Sequence, residues 1–263
     1  DATPQFAELA EVRAKVKEVK EKAQIPAQEW PVTGGKVAIF VLAYGDHCDL
    51  LRRCLSSIEK LTDKGTFSLH VGANAVSSTT KAYIRECVER GLVESVCWSD
   101  TNSLKYPIMR RMLAENTPKT PYFAWFDDDS FVRLAGWLPA LLRLVEREHK
   151  SGARMFGRIL FHDLTQYIRA RKRPMDWFQA APWWRNKPFR VRGTKTYAPN
   201  GTCIDFIPGS FWLAHTRTFI DNGIPDVRLA HNGGDITIGA HILQAGLRLC
   251  EFDKPDQFIR RTA

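Results

Sequence analysis

Apolar residues follow two alternating patterns between residues 36 and 129. Four short runs are apolar at nearly every position, and each ends in small or polar residues: KVAIFVLAYG, TFSLHVGANA, LVESVCWS and PYFAWFDDD. Runs of this kind predict strands that are buried on both faces, as in a parallel sheet. The segments between them have apolar residues at helical spacing, and in the first segment the inward positions are Leu50, Leu51, Cys54, Leu55 and Ile58. This alternation of strand and helix predicts an α/β fold with a Rossmann-like, doubly wound, mostly parallel sheet.

The chain begins with a different pattern. Residues 5–23 have apolar side chains at helical period, which predicts an amphipathic helix that docks on another surface. Prolines and a glycine pair follow, so we interpret residues 1–35 as a helix with a linker and residues 36–263 as one domain. No run of about 18 apolar residues occurs, so no membrane-spanning segment is predicted.

Composition constrains the environment and the partners. The six cysteines show no CxxC spacing, and five of them lie in predicted helices or strands. This usage favours free thiols in a reducing, cytoplasmic compartment and argues against a zinc ribbon. The formal net charge is +9, so a polyanionic partner is expected, although charge alone does not identify it.

Three consecutive aspartates, Asp127, Asp128 and Asp129, close the fourth predicted strand. In a doubly wound sheet, ligands bind at the carboxyl ends of the strands. One interpretation of the three aspartates is an acidic turn exposed to solvent. The other is a site for Mg²⁺ or Mn²⁺, because hard cations take carboxylate oxygens and often link them to substrate phosphates.

Four blocks of the sequence together resemble family 2 nucleotide-sugar glycosyltransferases, which have the A-type (GT-A) fold. The blocks are FVLAYGDHCDLLRRCLSSI, YFAWFDDDSF, PGSFWLAHTRTFIDNGIPD and HNGGDITIGAHILQAGLRL. Their order and spacing match the family across residues 36–252. The resemblance implies a single GT-A catalytic domain in which residues 36–133 bind the nucleotide sugar and residues 134–263 bind the acceptor.

The resemblance also implies roles on the donor side. Asp127 matches the first aspartate of the DXD motif, which contacts the ribose, and Asp129 matches the last, which binds Mn²⁺ or Mg²⁺. Asp127 is expected near the metal as well, and Asp128 near the nucleotide. Tyr44 matches a position that lines the nucleobase. The family usually has an aspartate at the end of the second strand, where Asn74 is the nearest polar residue here and becomes the candidate contact. The expected donor is a UDP-sugar.

Further roles are implied on the acceptor side. Asp235 matches the aspartate of the family's Glu-Asp motif, the general base of inverting members, and Gly234 stands where the glutamate is expected. Asp235 is also favoured as a helix N-cap after two glycines, and both roles can hold together. Lys105 and Arg110 follow the third strand, where they either contact phosphate or lie on a solvated helix face. Trp212 lies either on the wall of the acceptor cleft or in the core.

Basic and aromatic residues interleave in residues 167–195. Lysine and arginine match phosphates, and aromatic faces stack on bases, so Trp183, Trp184 and Arg185 are candidate acceptor contacts. The favoured acceptor is a hydroxymethylated base in DNA. Anionic membrane with a lipid-linked sugar, or a cell-envelope glycan, fits the same composition. So does a loop whose aromatics pack on the sheet. A non-catalytic nucleic-acid-binding module on this fold is a further alternative.

Overall fold

A computed structural model describes residues 36–163, 203–231, 233–253 and 256–262. Two predicted segments lie outside the described residues. They are the N-terminal amphipathic helix with its linker, and the basic aromatic segment with Trp183, Trp184 and Arg185.

The described ranges contain eleven strands and six α-helices. The strands are β1 (Val37–Tyr44), β2 (Phe67–Asn74), β3 (Ser95–Ser99), β4 (Tyr122–Asp127), β5 (Ser130–Val132), β6 (Ala153–Gly157), β7 (Leu160–Asp163), β8 (Cys203–Phe206), β9 (Phe211–His215), β10 (Arg248–Glu251) and β11 (Ile259–Arg261). The helices are α1 (Cys48–Leu61), α2 (Ser78–Glu89), α3 (Lys105–Glu115), α4 (Trp137–Glu148), α5 (Thr216–Asn222) and α6 (Gly234–Gln244). The four predicted strands and the three helices between them are confirmed.

Seven strands form the central sheet in the order β10-β6-β9-β4-β1-β2-β3. All neighbours pair in parallel except β9, which is antiparallel to both β4 and β6. The predicted Rossmann-like, mostly parallel sheet is therefore confirmed. The strand order runs outward from β1 to β3 on one side and passes to β4 on the other, so the direction of winding reverses between β1 and β4. Reversal points of this kind open a crevice at the carboxyl ends of the strands.

The hydrophobic pattern explains why β1 lies in the middle of the sheet. Residues 37–43 are all buried, and only Tyr44 at the strand's end is exposed. Ile39 and Val41 face a core built with α1, α2 and α4, while Phe40 and Leu42 face a core built with α3 and α6. Because both faces are covered, every position is apolar; burying each large side chain contributes about 1.5–3 kcal/mol.

The first helix agrees with its predicted face. Leu51, Cys54, Leu55 and Ile58 are buried, whereas Leu50 is only partly buried at the edge of the apolar stripe. Ser77 caps α2 by accepting a hydrogen bond from the Thr80 amide at 3.2 Å. These local signals hold the connecting helices against the sheet.

Two small antiparallel sheets complete the described fold, β5–β11 and β7–β8. In the first, Arg261 pairs with Ser130, and the Thr262 amide donates to the Asp129 carbonyl at 2.6 Å. This pairing places the end of the described chain beside the three aspartates.

Strands from both sides of residue 133 join the central sheet. The division into donor and acceptor halves stays a prediction. The five cysteines with described side chains, Cys48, Cys54, Cys87, Cys97 and Cys250, are free thiols. No helix within the described ranges combines the length and apolar character needed to span a membrane.

Candidate functional site

The three aspartates form a turn that is fixed to the end of β1. The Asp128 amide donates to the Leu42 carbonyl at 3.1 Å, and the Tyr44 amide donates to the Asp128 carboxylate at 3.1 Å. Burial raises the pKa of Asp128 to about 7, against the opposing effect of the Tyr44 amide and with further increases from Asp127 and Asp129. Asp128 is therefore engaged in holding the turn rather than directed freely at a ligand.

Asp127 has two side-chain partners inside the crevice. Lys105 Nζ lies 2.7 Å from its Oδ2, and Trp125 Nε1 donates to its Oδ1 at 3.0 Å. Its own amide donates to the Ser210 carbonyl at 3.1 Å, which ties β4 to the turn before β9. Burial raises the pKa of Asp127, and Lys105 opposes that increase.

Lys105 lies between two carboxylates. Its ammonium is 2.7 Å from Asp127 and 3.9 Å from Asp235 Oδ1, and its side chain is 12% exposed. Burial lowers the pKa of Lys105, but the two carboxylates outweigh it and raise the pKa overall, so the group carries its charge at neutral pH. Of the two open interpretations, the solvated helix face is wrong for this residue.

The turn that directs Lys105 inward is strained. Leu104 precedes α3 with φ 66° and ψ 166°, a region that side-chain-bearing residues rarely adopt. Such a conformation costs about 1–3 kcal/mol and persists only when its surroundings enforce it. Here the Leu104 amide donates to Asn102 Oδ1 at 2.9 Å, and the Tyr106 amide donates to the Ala230 carbonyl at 3.1 Å. The strain is thus located at the start of the helix that supplies a site residue.

Asp235 lies in the first turn of α6 and is held at both carboxylate oxygens. Tyr106 donates its hydroxyl to Oδ1 at 2.6 Å, and the Gly209 amide donates to Oδ2 at 2.7 Å. The N-cap position is Gly233, without a side-chain cap. The N-cap interpretation of Asp235 is therefore wrong, because its carboxylate is directed at Tyr106 and Gly209 instead. The positive end of the helix still favours an anion in this turn.

Two glycines make this arrangement possible. A Cβ at Gly209 would lie 2.0 Å from Lys105 Nζ and 2.8 Å from Asp235 Oδ1. A Cβ at Gly234 would lie 1.9–2.4 Å from the ring tip and hydroxyl of Tyr106. Neither position can carry a side chain while its neighbours stay in place. The glutamate expected at 234 would therefore collide with Tyr106.

Asp129 lies at the outer edge of the crevice. Arg261 Nε is 2.5 Å from its Oδ2, with the arginine side chain 69% exposed and the aspartate 20% exposed. The Asp127 and Asp129 oxygens are the hard donors that Mg²⁺ and Mn²⁺ take, so the donor type fits the implied metal. Within the described ranges, however, no three His, Cys, Asp or Glu side chains converge on one point. Substrate oxygens would have to complete the coordination of any ion held here.

The exposed edge above β1 and β2 consists of Tyr44 and a loop residue. Tyr44 is 46% exposed, and Asn102 donates to its hydroxyl at 3.2 Å. Asn74 is buried and uses both ends of its side-chain amide. Its Nδ2 donates to Asn102 Oδ1 at 3.1 Å, and its Oδ1 accepts from the backbone amide of Ser103 at 2.8 Å. Asn74 thus holds the loop, and Asn102 is the residue that stands beside Tyr44.

Two further expectations are settled by burial. Trp212 is 1% exposed and stacks on Trp125 with ring centroids 5.8 Å apart, so it belongs to the core and not to a cleft wall. Arg110 donates to the carbonyls of Asp226 and Leu229 at 2.8 and 2.9 Å. These bonds tie α3 to residues 226–229. Arg110 therefore lies neither on a solvated helix face nor free to contact a phosphate.

Sequence reasoning did not single out Tyr106, Asn102, Gly209 or Arg261. Tyr106 follows Lys105 directly and lies in a predicted helix, where nothing in the local pattern marked it as a site residue. Gly209 lies in the PGS turn before β9. Only the glycine at 234, where an acidic residue was expected, signalled that another side chain occupies that space.

Comparison of the whole chain with solved structures shows the fold. One similar structure is mannosyltransferase PcManGT from Pyrobaculum calidifontis, in complex with GDP-Man and Mn²⁺. The match covers 94% of this chain, with 13% identity and a TM-score of 0.55. The match to S. aureus TarS 1–349 covers 86% of this chain, with 15% identity and a TM-score of 0.53. The match to TarS 1–349 in complex with UDP covers 85% of this chain, with 14% identity and a TM-score of 0.54.

The matches cover only part of those proteins. The chain spans 65% of the length of PcManGT and 60% of TarS 1–349. No protein-family model matches the sequence, and no curated protein sequence matches it. The likeness to solved structures shows the fold, and it does not distinguish family 2 from other families that share this fold. On this evidence the chain has the GT-A glycosyltransferase fold.

Proposed function

We propose that this protein transfers a sugar from a nucleotide-sugar donor to an acceptor hydroxyl. The observation that carries the proposal is the pair of carboxylates, Asp127 and Asp235, on either side of Lys105. They meet beside the point where the sheet reverses its winding, which is where ligands bind in this fold class. Transfer needs such a division of labour, with one group for the departing diphosphate and another for the attacking hydroxyl.

The donor side must stabilise negative charge on the leaving diphosphate. Lys105 and Arg261 place two cations at this edge, and both already pair with aspartates there. Mg²⁺ or Mn²⁺ held by Asp129, with Asp127 near it, would neutralise diphosphate charge as a Lewis acid. A ligand phosphate can replace Asp129 as the partner of Arg261 at little cost, because the Arg261 side chain is 69% exposed and ion pairs of exposed groups contribute little stability.

The acceptor side needs a base. Asp235 accepts one hydrogen bond on each oxygen, and each carboxylate oxygen has a second lone pair left for the proton of an acceptor hydroxyl. Direct attack on the anomeric carbon with proton transfer to Asp235 would invert the configuration of the sugar. Asp235 is thus the proposed general base of an inverting reaction.

The donor to test first is a UDP-sugar. One of the similar solved structures is a complex with UDP and another is a complex with GDP-Man, so both nucleotides belong in the panel. Tyr44 and Asn102 provide an aromatic face and an amide at the exposed edge, which suits a nucleobase. Asn74 supports this surface from below by holding the loop.

The proposed acceptor is polyanionic, with hydroxymethylated DNA as the first candidate. The support is the net charge of +9 and the interleaved basic and aromatic residues 167–195, including Trp183, Trp184 and Arg185. A lipid-linked or cell-envelope glycan is the alternative.

One experiment separates these possibilities. Purified protein is incubated with Mn²⁺ or Mg²⁺, a sugar-nucleotide panel and duplex DNA containing 5-hydroxymethyl pyrimidines, and the digested nucleosides are analysed by mass spectrometry. A hexose added to the modified base identifies donor and acceptor together. Donor hydrolysis without transfer would retain the transferase and reject the DNA acceptor. DNA binding with no turnover of any donor would favour a non-catalytic nucleic-acid-binding module.

A further inference from the structure

We propose that Tyr106 is a positioning residue for Asp235 and occupies the place of the acidic side chain that is absent at position 234. The inference rests on the proposed function, because positioning matters only if Asp235 acts on an acceptor. It concerns a residue that comes from the donor half of the chain. The contact therefore joins the start of α3 to the start of α6.

The first argument is steric. A Cβ on Gly234 would lie 1.9 Å from Tyr106 Cε2 and 2.0 Å from Cζ. The tip of the ring thus fills the space into which a side chain at 234 would grow. The tyrosine ring is buried, with Tyr106 2% exposed, and its backbone is tied to the Ala230 carbonyl.

The second argument is the hydrogen bond. Tyr106 donates to Asp235 Oδ1 at 2.6 Å, the short distance of a bond between a hydroxyl and a charged oxygen. Burial, and then the charge of Asp235, raise the pKa of Tyr106 well above its ordinary value, so the hydroxyl stays protonated and remains a donor. A neutral donor can hydrogen-bond the Asp235 carboxylate, whereas a second carboxylate in that place would repel it.

The third argument is that the contact completes a two-point clamp. The Gly209 amide holds Oδ2 at 2.7 Å while Tyr106 holds Oδ1. Two donors on two oxygens fix the plane of a carboxylate, and one donor leaves it free to rotate. Loss of the hydroxyl should therefore disorient the base without touching the nucleotide-binding edge.

The first test is Tyr106→Phe, with Tyr122→Phe as the matched control. Tyr122 is also 2% exposed and also bonds through its hydroxyl, to His149 Nδ1 at 2.6 Å, but at the opposite end of β4. With the UDP-sugar that supports turnover, Tyr106→Phe should lower kcat about 10- to 100-fold and leave the donor KM within about twofold. Tyr122→Phe should change neither constant. Equal kcat in wild type and Tyr106→Phe would overturn the proposal.

A second measurement does not depend on any substrate. Aspartate is labelled with ¹³C at the carboxyl, and the Asp235 signal is identified by its loss in Asp235→Asn. The signal should shift in Tyr106→Phe and stay in place in Tyr122→Phe. An unmoved signal would show that the hydroxyl does not hold Asp235, even if no donor has been found.

A third pair of variants tests the shared space and covers the case in which Tyr106→Phe does not fold. Gly234→Ala should displace Asp235 and move its ¹³C signal, and Tyr106→Ala should remove the clash. In the Tyr106→Ala background, Gly234→Ala should cause no additional shift. Additive shifts would overturn the steric argument. If Asp235→Asn keeps wild-type turnover, the proposed base is wrong, while the signal shifts still decide whether Tyr106 positions it.

Discussion

At the inner end of the crevice Lys105 is 12% exposed and lies between two carboxylates, whereas at the outer end Arg261 is 69% exposed and pairs with Asp129. Both contacts are short ion pairs, but burial gives them different consequences. Lys105 has lost most of its contact with water and depends on its two carboxylates, while the guanidinium of Arg261 can exchange Asp129 for solvent or salt. The inner end is therefore built to keep one arrangement, and the outer end to give up its contacts when a ligand arrives.

The largest expected effect is at the inner end. Asp235→Asn keeps the size of the side chain but removes the proposed base, so transfer should fall about 10²- to 10⁴-fold. UDP affinity, measured by calorimetry, should stay within about twofold. The control is Asp221→Asn in α5. This helix begins beside the amino end of β4, where the Thr216 amide bonds to the Pro121 carbonyl, whereas the site lies at the carboxyl end of that strand. Full activity of Asp235→Asn would remove Asp235 from the mechanism.

The next effect is on folding. Lys105→Met retains the apolar stem but leaves Asp127 and Asp235 without their shared cation, so the free energy of unfolding should fall by about 2–4 kcal/mol. Urea unfolding followed by circular dichroism measures the change.

The comparison variant is Lys81→Met, which breaks an exposed pair with Asp100 at 2.8 Å. Its unfolding midpoint should match that of the wild type. Equal midpoints for Lys105→Met and Lys81→Met would mean that the burial of Lys105 adds no stability beyond that of an exposed ion pair.

A smaller effect is expected from Arg261→Met. This change frees Asp129 Oδ2, so Mn²⁺ should bind about two- to fivefold more tightly in a titration followed by the electron paramagnetic resonance of the free ion. Arg260→Met removes a charge from the neighbouring exposed residue of β11 and should leave the affinity unchanged. The same increase in both variants would indicate a general charge effect instead of competition at Asp129.

The smallest effect is expected at the exposed edge. Tyr44→Phe loses one neutral hydrogen bond from Asn102, so UDP should bind about two- to fivefold more weakly with kcat unchanged. Asn102→Ala breaks the same contact and also removes the acceptor of the Leu104 amide and of the Asn74 side chain, so it should weaken binding more, but a double-mutant cycle by calorimetry should give a combined loss smaller than the sum of the two single losses. Strict additivity would separate the two residues.

The same division separates what the sequence predicts from what it does not. The strands, the position of Tyr44 and the carboxyl-edge location of the three aspartates follow from hydrophobic runs and their polar ends, because period and burial are local properties. Asp235 was identified by resemblance. Its actual partners, Tyr106 and Gly209, lie 129 and 26 residues away along the chain. Contacts at such separation depend on how α3 and β9 are placed, which local pattern does not encode.

The residues whose roles changed make the same point. Trp212 is equally plausible on a wall or in a core until the pairing of β9 with β4 stacks it on Trp125. Asn74 has the expected position at the end of β2 but is used to hold the neighbouring loop. Its chemistry could be predicted from its type, and its partner could not.

The space around Gly209 has an evolutionary consequence. A side chain at 209 cannot coexist with Lys105 in its present position, since a Cβ would lie 2.0 Å from the ammonium. The same Cβ would lie 2.8 Å from Asp235 Oδ1, so shortening residue 105 alone does not make room for a side chain at 209. Related chains that keep lysine at 105 and aspartate at 235 should therefore carry glycine at 209, and an alignment of such chains should show the three positions changing together.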